Sequence, residues 1–231
     1  MPKEICTARL CYEAVRLDPA LICHVPDERF TEELCMETIH QRSELLKNIP
    51  EVHRTSAVCQ AAVRKCGMVL EDVPEKLRTE DLCLMAVQDG CSLQHVPIAM
   101  RKSRICMEAV RKFGLELSLV PEELKTEELC LSAVRSCGLA LTDVPETLRT
   151  AEICLEAVRS VGLALRHVPI GLRTPSLCLE AVRGHGRSLE HVPETIRTPE
   201  LCVIAVLHDG KAKKYVPEAL LSSDLFVSPK V

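Results

Sequence analysis

Aromatic side chains are almost missing from this sequence: its 231 residues include no tryptophan, two tyrosines and three phenylalanines. A core with so few rings must be built from leucine, valine, alanine and cysteine. Proteins that bind single-stranded nucleic acid combine aromatic stacking platforms with basic grooves, whereas the formal net charge here is −4. The composition therefore argues against a nucleic-acid partner.

Long apolar runs are also missing. No stretch approaches the roughly 18 consecutive apolar residues of a membrane span, and the N-terminal sequence MPKEICTARLC lacks the apolar core of a secretory signal. The chain has 14 cysteines but no C-x-x-C pair. We therefore expect reduced thiols, no membrane association and a cytoplasmic location, with delivery into a host cell as an open alternative.

One unit of about 24 residues fills the chain almost from end to end. It has the approximate form T-x-E-L-C-L-E-A-V-R-x-x-G-x-x-L-x-x-V-P-E-x-L-R. Prolines that follow Val or Ile recur every 24 residues with one interval of 23, which arises from a residue missing before Gly90. The cysteine of the unit keeps the same spacing, at Cys11, Cys35, Cys59, Cys83, Cys106, Cys130, Cys154, Cys178 and Cys202.

Each unit predicts two helical pieces. A threonine stands where an N-cap belongs, Pro175 and Pro199 follow it at the first helical position, and a glycine about 11 residues later is typical of a left-handed helix stop. The second, shorter piece contains the Val-Pro step, which should kink or split it into short turns. The predicted caps are Thr126, Thr150, Thr174 and Thr198, and the predicted stops are Gly138, Gly162 and Gly186.

The first helix has one apolar face, which stacked units would bury. We expect an all-α fold, an α-solenoid of about nine repeats in a single domain, 1–231. Irregular repeats occupy residues 1–54, regular repeats 55–197, and a C-terminal repeat with a capping tail 198–231. A leucine-rich repeat has a similar period, but it needs an Asn at a fixed position, and the only Asn is Asn48.

The phrase TEELCLSAVRSCGLALTDVPETLRT resembles the repeats of a bacterial helical-repeat family known only as a domain of unknown function. The resemblance covers essentially the whole chain and is strongest over about residues 55–206. It implies an α-solenoid and carries over no catalytic residues. The end repeats depart from the pattern, with Pro19 and Ser43 in place of Gly and Lys213 in place of Leu, as expected of caps.

The recurring cysteine lies on the apolar face, so we interpret it as a packing residue. Equivalent cysteines in neighbouring units should be about 8–10 Å apart, too far for a shared metal ion or a disulfide. We predict no catalytic residues, no metal ligands and no cofactor. Histidines precede Val-Pro in four units, and His167 with His191 could form a pH-sensitive patch.

Two sets of basic residues recur. The first set lies on the exposed side of the first helix, where glutamates three residues earlier could neutralise its charge. The second set ends the second piece, where positive charge is favourable at a helix C-terminus. The C-terminal repeat breaks the pattern, because apolar residues replace the usual Glu and Arg. Our candidate binding residues are Arg111, Arg135, Arg159, Arg183, Ile204 and Leu207.

An outward apolar pair needs a cover. We predict that Leu225, Phe226 and Val227 in the tail form a truncated tenth helix over Ile204 and Leu207, with self-association or a partner contact as the alternative. We expect a non-enzymatic scaffold or adaptor that presents an elongated surface to a protein partner, for example a bacterial effector or inhibitor. The alternatives are a ligand-binding or enzyme-associated cleft in irregular repeats 1–4, and a thiol-based metal or redox sensor.

Overall fold

A computed structural model describes residues 7–221 of the chain. Within that range the protein consists of α-helices and 3₁₀ segments, and these residues form no β-strand. The predicted all-α repeat solenoid is confirmed. The helices are α1 (Ala8–Leu17), α2 (Glu32–Gln41), α3 (Ser56–Lys65), α4 (Glu80–Gln88), α5 (Ser103–Lys112), α6 (Glu127–Ser136), α7 (Ala151–Ser160), α8 (Pro175–Gly184), α9 (Pro199–His208) and α10 (Glu218–Leu221).

The contacts group the chain into two compact units, residues 1–109 and 110–231, with the boundary inside α5. In the first unit α1 to α4 pack in succession, and in the second α6 to α9 do so. Helices α1 to α3 and α6 to α9 also pack against the long 3₁₀ segment of their own repeat, and α2 to α4 and α6 to α9 against that of the preceding repeat. The prediction of a single domain over the whole chain stays a prediction.

Threonine begins the helices as predicted. In α6 the Thr126 hydroxyl accepts the backbone N–H of Leu129 at 3.3 Å, and Pro175 and Pro199 occupy the first position of α8 and α9. This bond satisfies one of the amides that the first turn of a helix leaves free. The same cap forms at Thr7, Thr31, Thr55, Thr79, Thr150, Thr174 and Thr198.

The second piece of each unit is split in two by its proline, which confirms the expected interruption. In the repeat of α7, a 3₁₀ segment covers Gly162–His167, Pro169 holds φ at −52°, and a second segment covers Ile170–Leu172. The longer segments are Pro19–His24, Ser43–Asn48, Gly67–Asp72, Gly114–Leu119, Gly138–Asp143, Gly162–His167, Gly186–His191 and Gly210–Tyr215. The three-residue segments are Asp27–Arg29, Glu51–His53, Glu75–Leu77, Leu93–His95, Ile98–Met100, Glu122–Leu124, Glu146–Leu148, Ile170–Leu172 and Glu194–Ile196.

The recurring glycine does not end its helix in a left-handed conformation, so that prediction was wrong for Gly138, Gly162 and Gly186. Among the described residues, positive φ occurs only at Gly90. At Gly138 a Cβ atom would come within 2.1 Å of the Ala157 carbonyl oxygen, on the helix of the next repeat. The glycine is therefore needed for the close approach of neighbouring repeats.

The 23-residue unit ends its helix differently. Gly90 has a φ of 99°, its N–H donates to the Val87 carbonyl, and the Cys91 N–H donates to the Ala86 carbonyl. These two bonds form a Schellman motif, in which a left-handed glycine closes the last turn. The shortened unit keeps only a three-residue segment, Leu93–His95, where other units have six residues.

The core of each unit is aliphatic and small, as the scarcity of rings requires. In α6 the buried side chains are Leu129, Cys130, Ala133 and Val134, and Leu141 of the following segment is also fully buried. The pattern repeats in α7 and α8, so one alanine and one cysteine per repeat allow close helix packing. Cys137 follows the helix in extended backbone and is half-buried.

Candidate functional site

The basic residue at the end of each unit holds two repeats together. Arg173 donates through Nε to the Val168 carbonyl at 2.9 Å and through its two terminal nitrogens to the carbonyls of Arg166 and, in the next repeat, His191 at 3.3 and 2.6 Å. We predicted that this residue acts as a charge at a helix C-terminus. In the structure it also links its own repeat to the next one. The same three-carbonyl clamp is formed by Arg54, Arg78, Arg149 and Arg197.

One outward arginine of the first set, Arg135, takes part in ion pairs that cross to the next repeat. Arg135 of α6 donates through Nε to Glu156 of α7 at 2.9 Å, and Arg159 of α7 reaches the other oxygen of the same carboxylate at 3.3 Å. The i,i+3 pairing predicted for Arg159 is confirmed, whereas the stronger cross-repeat bond to Arg135 was not foreseen. The two arginines lower the pKa of the Glu156 carboxyl.

The junction between α8 and α9 is built differently, because Ile204 stands at the position of Glu156. A groove of about 370 Å³ opens here. We call it the α8–α9 groove. Arg183 lies at its edge with a single ion-pair contact of 4.0 Å to Glu180 on its own helix. The groove is lined by Pro175, Leu179, Arg183, Thr195, Ile196, Thr198, Glu200, Leu201 and Ile204.

The structure therefore brings two of our six candidate residues, Arg183 and Ile204, into one site. Leu207 lies one helical turn beyond Ile204 and is 81% exposed, but it does not line the groove. Arg111 is exposed on α5. The predicted cover for this end, Leu225, Phe226 and Val227, lies outside the described residues.

Helix α9 is apolar on almost every side. Such a helix is normally buried all round, yet Val203, Ile204 and Val206 are only half-buried and Leu207 is exposed. Val206 shows the contrast most directly, since the equivalent Val182 of α8 is fully buried. The apolar surface of α9 is therefore larger than its packing within the described residues uses.

The same unit has a second apolar surface, which we did not predict from the sequence. Phe113 and Leu115 are 53% and 52% exposed, and the residues equivalent to Leu115 in the next two repeats, Leu139 and Leu163, are half-buried. The position then changes to basic residues, Arg187 and Lys211. The repeated Gly-Leu dipeptide could have indicated this surface, because a leucine directly after the close-packed glycine recurs three times.

The recurring cysteines are buried thiols. Burial raises the pKa of the thiols of Cys59 and Cys83 to about 11, and Cys178 is fully buried with its thiol directed at the Arg173 carbonyl 3.8 Å away. A buried thiol with a raised pKa forms little of the reactive thiolate. Cys23, by contrast, is exposed.

His167 and His191 lie in neighbouring repeats, and burial lowers the pKa of both imidazoles below 6.5. Positive neighbours act in the same direction, Arg166 and Arg149 on His167 and Arg173 on His191, while Glu190 opposes the lowering of the His191 pKa. The Thr142 hydroxyl lies 3.2 Å from Nδ1 of His167. The pair is therefore a site where acid would add charge to a partly buried surface.

Residues 7–221 contain no group of three or more His, Cys, Asp or Glu side chains arranged to hold a metal ion. In the same range no helix has the length and apolar character that crossing a bilayer requires.

Three overlapping stretches, residues 104–149, 126–173 and 150–197, match the model of one family, described as Domain of unknown function (DUF4116). Each stretch spans about two successive repeats, which agrees with the structural units. The segment 104–197 therefore consists of repeats of this family, as the sequence resemblance indicated. No curated protein and no solved structure matches the chain significantly.

Proposed function

We propose that the chain is a non-enzymatic protein-interaction scaffold. The observation that carries this proposal is the α8–α9 groove, where Ile204 replaces a carboxylate and opens an apolar surface beside Arg183. Apolar surface that a repeat array does not use for its own packing is typical of a site for another protein. The half-exposed Phe113 and Leu115 supply a second such surface in the same unit.

A photo-crosslinking amino acid at Leu207 tests the scaffold function in the native host cell. We expect crosslinks to one or a few specific proteins, because Leu207 is 81% exposed and lies one turn from the groove. The matched control places the same amino acid at Arg64, the equivalent position of α3. Crosslinks no more specific than those from residue 64 would contradict the proposal, and a crosslink only to a second copy of the chain would replace it with self-association.

A ligand-binding cleft is the second candidate, and one observation favours it. An open groove of about 460 Å³ lies beside the 23-residue unit, lined by His95, Pro97, Ile98 and others, within the irregular repeats that we singled out. A small molecule bound there would raise the melting temperature of the chain. Gln94→Trp, which fills the groove, should abolish that increase; an increase that survives this change would place the ligand elsewhere.

The buried thiols weigh against the third hypothesis, a thiol-based sensor, for the recurring cysteines. We further propose that the protein works in a reducing compartment such as a bacterial cytoplasm, where these thiols stay reduced. Measuring the oxidation state of the cysteines in protein taken directly from the host tests this, and stable disulfides would contradict it.

A further inference from the structure

Serine ends two helices of the second unit and binds the repeat before it. Ser136, the last residue of α6, accepts the N–H of Gly114 through its Oγ atom at 3.1 Å. Ser160, the last residue of α7, accepts the N–H of Gly138 in the same way at 3.0 Å. A hydroxyl group does not titrate between pH 5 and 8, so the hydrogen bond at these two junctions does not depend on pH in that range.

Histidine takes the same position at the end of α9. Nδ1 of His208 accepts the N–H of Gly186 at 3.3 Å, which joins the repeats of α8 and α9. Nδ1 can accept only while it carries no proton, and this requires a neutral imidazole with its proton on Nε2. An imidazolium has a proton on both nitrogens and can only donate. Protonation of His208 therefore removes the bond, because two N–H groups would then face each other.

The amide that loses its acceptor is buried. A Cβ atom on Gly186 would come within 2.3 Å of the Ala205 carbonyl oxygen, so the backbones of the two repeats are in close contact at this point. A buried amide without an acceptor destabilises the arrangement that buries it. Protonation of His208 therefore weakens the packing of α9 on the preceding repeat.

The charges around His208 give little support to an imidazolium. Three other ionisable side chains line the same open cavity of about 260 Å³: His185, Arg187 and Asp209. Asp209 is already bound by Arg187 at 2.7 Å and by the N–H of Lys211 at 2.9 Å. The helix C-terminus favours positive charge by a small amount, whereas basic groups outnumber acidic groups on the elements packed against α9. The further charged or titratable groups of those elements include Glu180, Arg183, Glu190, His191, Lys213 and Lys214.

We propose that His208 makes the junction between the repeats of α8 and α9 sensitive to pH. A neutral imidazole accepts the Gly186 N–H and holds α9 against the preceding repeat, and a protonated imidazole releases that amide. Histidine is the side chain whose charge ordinarily changes between pH 5 and 8. The α8–α9 groove is lined by residues of both helices, so the same junction holds its walls together. Control of partner binding by this response rests on the proposed scaffold function, whereas the response itself does not.

Nuclear magnetic resonance of the full chain labelled with ¹⁵N tests the hydrogen bond directly. At pH 8 we expect His208 to be the tautomer protonated at Nε2. From pH 8 to pH 5 the Gly186 amide signal should shift with the same midpoint as the imidazole signals, whereas the Gly138 amide, bound by Ser160, should not follow that titration. A proton on Nδ1 at pH 8, or a Gly186 signal that does not follow the imidazole, would refute the proposal.

Amide hydrogen exchange measures how far the junction opens. After correction for the intrinsic exchange rate, the protection of Gly186 should fall roughly three- to tenfold from pH 8 to pH 5, the size expected for one lost hydrogen bond. His208→Ser gives α9 the residue that ends α6 and α7, and Gly186 should then be equally protected at both pH values. His208→Ala lacks an acceptor, so Gly186 should be weakly protected at both.

Both variants retain His167 and His191, so an acid effect of those residues is common to all three chains and cancels in the comparison. A melting temperature at pH 8 shows whether each variant is folded, and the titration of the unchanged chain decides the question without them. A fall in Gly186 protection that persists in His208→Ser would overturn the proposal. None of these measurements involves a partner, so their failure leaves the scaffold function, which the crosslinks from residue 207 test, intact.

Discussion

The Gly138 backbone lies against the carbonyl oxygen of Ala157, so closely that a Cβ atom on residue 138 would be 2.1 Å from that oxygen. Gly67, Gly114, Gly162 and Gly186 make the same approach to the alanine of the next helix, at 2.3–2.4 Å. Because the obstacle is backbone, it cannot move aside as a flexible side chain can. Each glycine thus sets the spacing between its own repeat and the following one.

Gly138→Ala should destabilise the protein by about 3 kcal/mol, since the added methyl group must push two repeats apart. Chemical denaturation measures the effect. Gly171→Ala is the matched control, because a Cβ there meets nothing within 4 Å, and it should be neutral or stabilising by about 0.5 kcal/mol. Equal losses in the two variants would show that the close approach does not determine the effect.

The two sets of arginines should differ sharply in their contribution to stability. Arg173→Gln removes three charged hydrogen bonds to carbonyl groups and should cost about 3 kcal/mol, whereas Arg183→Gln on the exposed helix face should cost less than about 0.5 kcal/mol. Arg173→Lys should lose roughly half as much as Arg173→Gln, because Lys125 at the equivalent position reaches the Asp143 carbonyl. Urea denaturation of the three variants tests this order, and a larger loss for Arg183→Gln would reverse our assignment of the two sets.

The repeat, its caps and its split second piece could be predicted because they depend on residues close in sequence. Thr126 makes its capping hydrogen bond to its own helix, and Pro169 interrupts the 3₁₀ segment in which it stands. The role of Gly138 could not be derived in the same way, since a glycine after a helix fits either positive φ or a close contact, and the contacting carbonyl lies in another repeat. Arg173 was underestimated for the same reason, because one of its acceptors belongs to the next repeat.

For the candidate site, the exchange of a glutamate for Ile204 was visible in the sequence, and Ile204 lines the α8–α9 groove. The sequence could not show which arginine pairs with the equivalent glutamate of another repeat, Glu156. Local spacing suggested pairs within one helix, as between Glu156 and Arg159, whereas the shorter bond crosses to Arg135. At the α8–α9 junction Ile204 occupies the equivalent position and can accept no such bond.

Thiol reactivity should follow burial. In the native protein we expect iodoacetamide to modify the exposed Cys23 much faster than Cys178, since burial both blocks access to Cys178 and raises the pKa of its thiol. Mass spectrometry of peptides after short labelling measures both rates, and labelling in denaturant controls for intrinsic differences. Equal native rates would revive the sensor hypothesis for the recurring cysteines.

Stability should decrease in acid because of His167 and His191. Their pKa values lie below 6.5 in the folded protein, so the unfolded chain takes up protons first as the pH falls. Above that pH both states are neutral at these positions and nothing is lost; from about pH 6.5 downward the free energy of unfolding should decrease until the folded form is also protonated. The double variant His167→Gln/His191→Gln should flatten this decrease, while His24→Gln, at the equivalent exposed position of the first repeat, should not.

Gly184 stands at a position where two earlier repeats have a serine that makes a hydrogen bond to the preceding repeat. In the neighbouring repeats, a side chain at this position accepts the N–H of the close-packed glycine: Ser160 accepts from Gly138 at 3.0 Å, and Ser136 accepts from Gly114 at 3.1 Å. Gly184 has no side chain to offer Gly162, and a Cβ added to it would come no closer than 3.6 Å to any atom outside its immediate neighbours.

Gly184→Ser should therefore stabilise the protein by about 1–2 kcal/mol, partly through helix propensity and partly through the new hydrogen bond. Gly184→Ala separates the two contributions, because it gains the propensity without the acceptor. Denaturation midpoints give the order serine above alanine above glycine, and slower amide hydrogen exchange at Gly162 in the serine variant alone would locate the bond. If alanine stabilises as much as serine, the unmatched N–H of Gly162 contributes nothing, and the serines of the other repeats would be helix residues only.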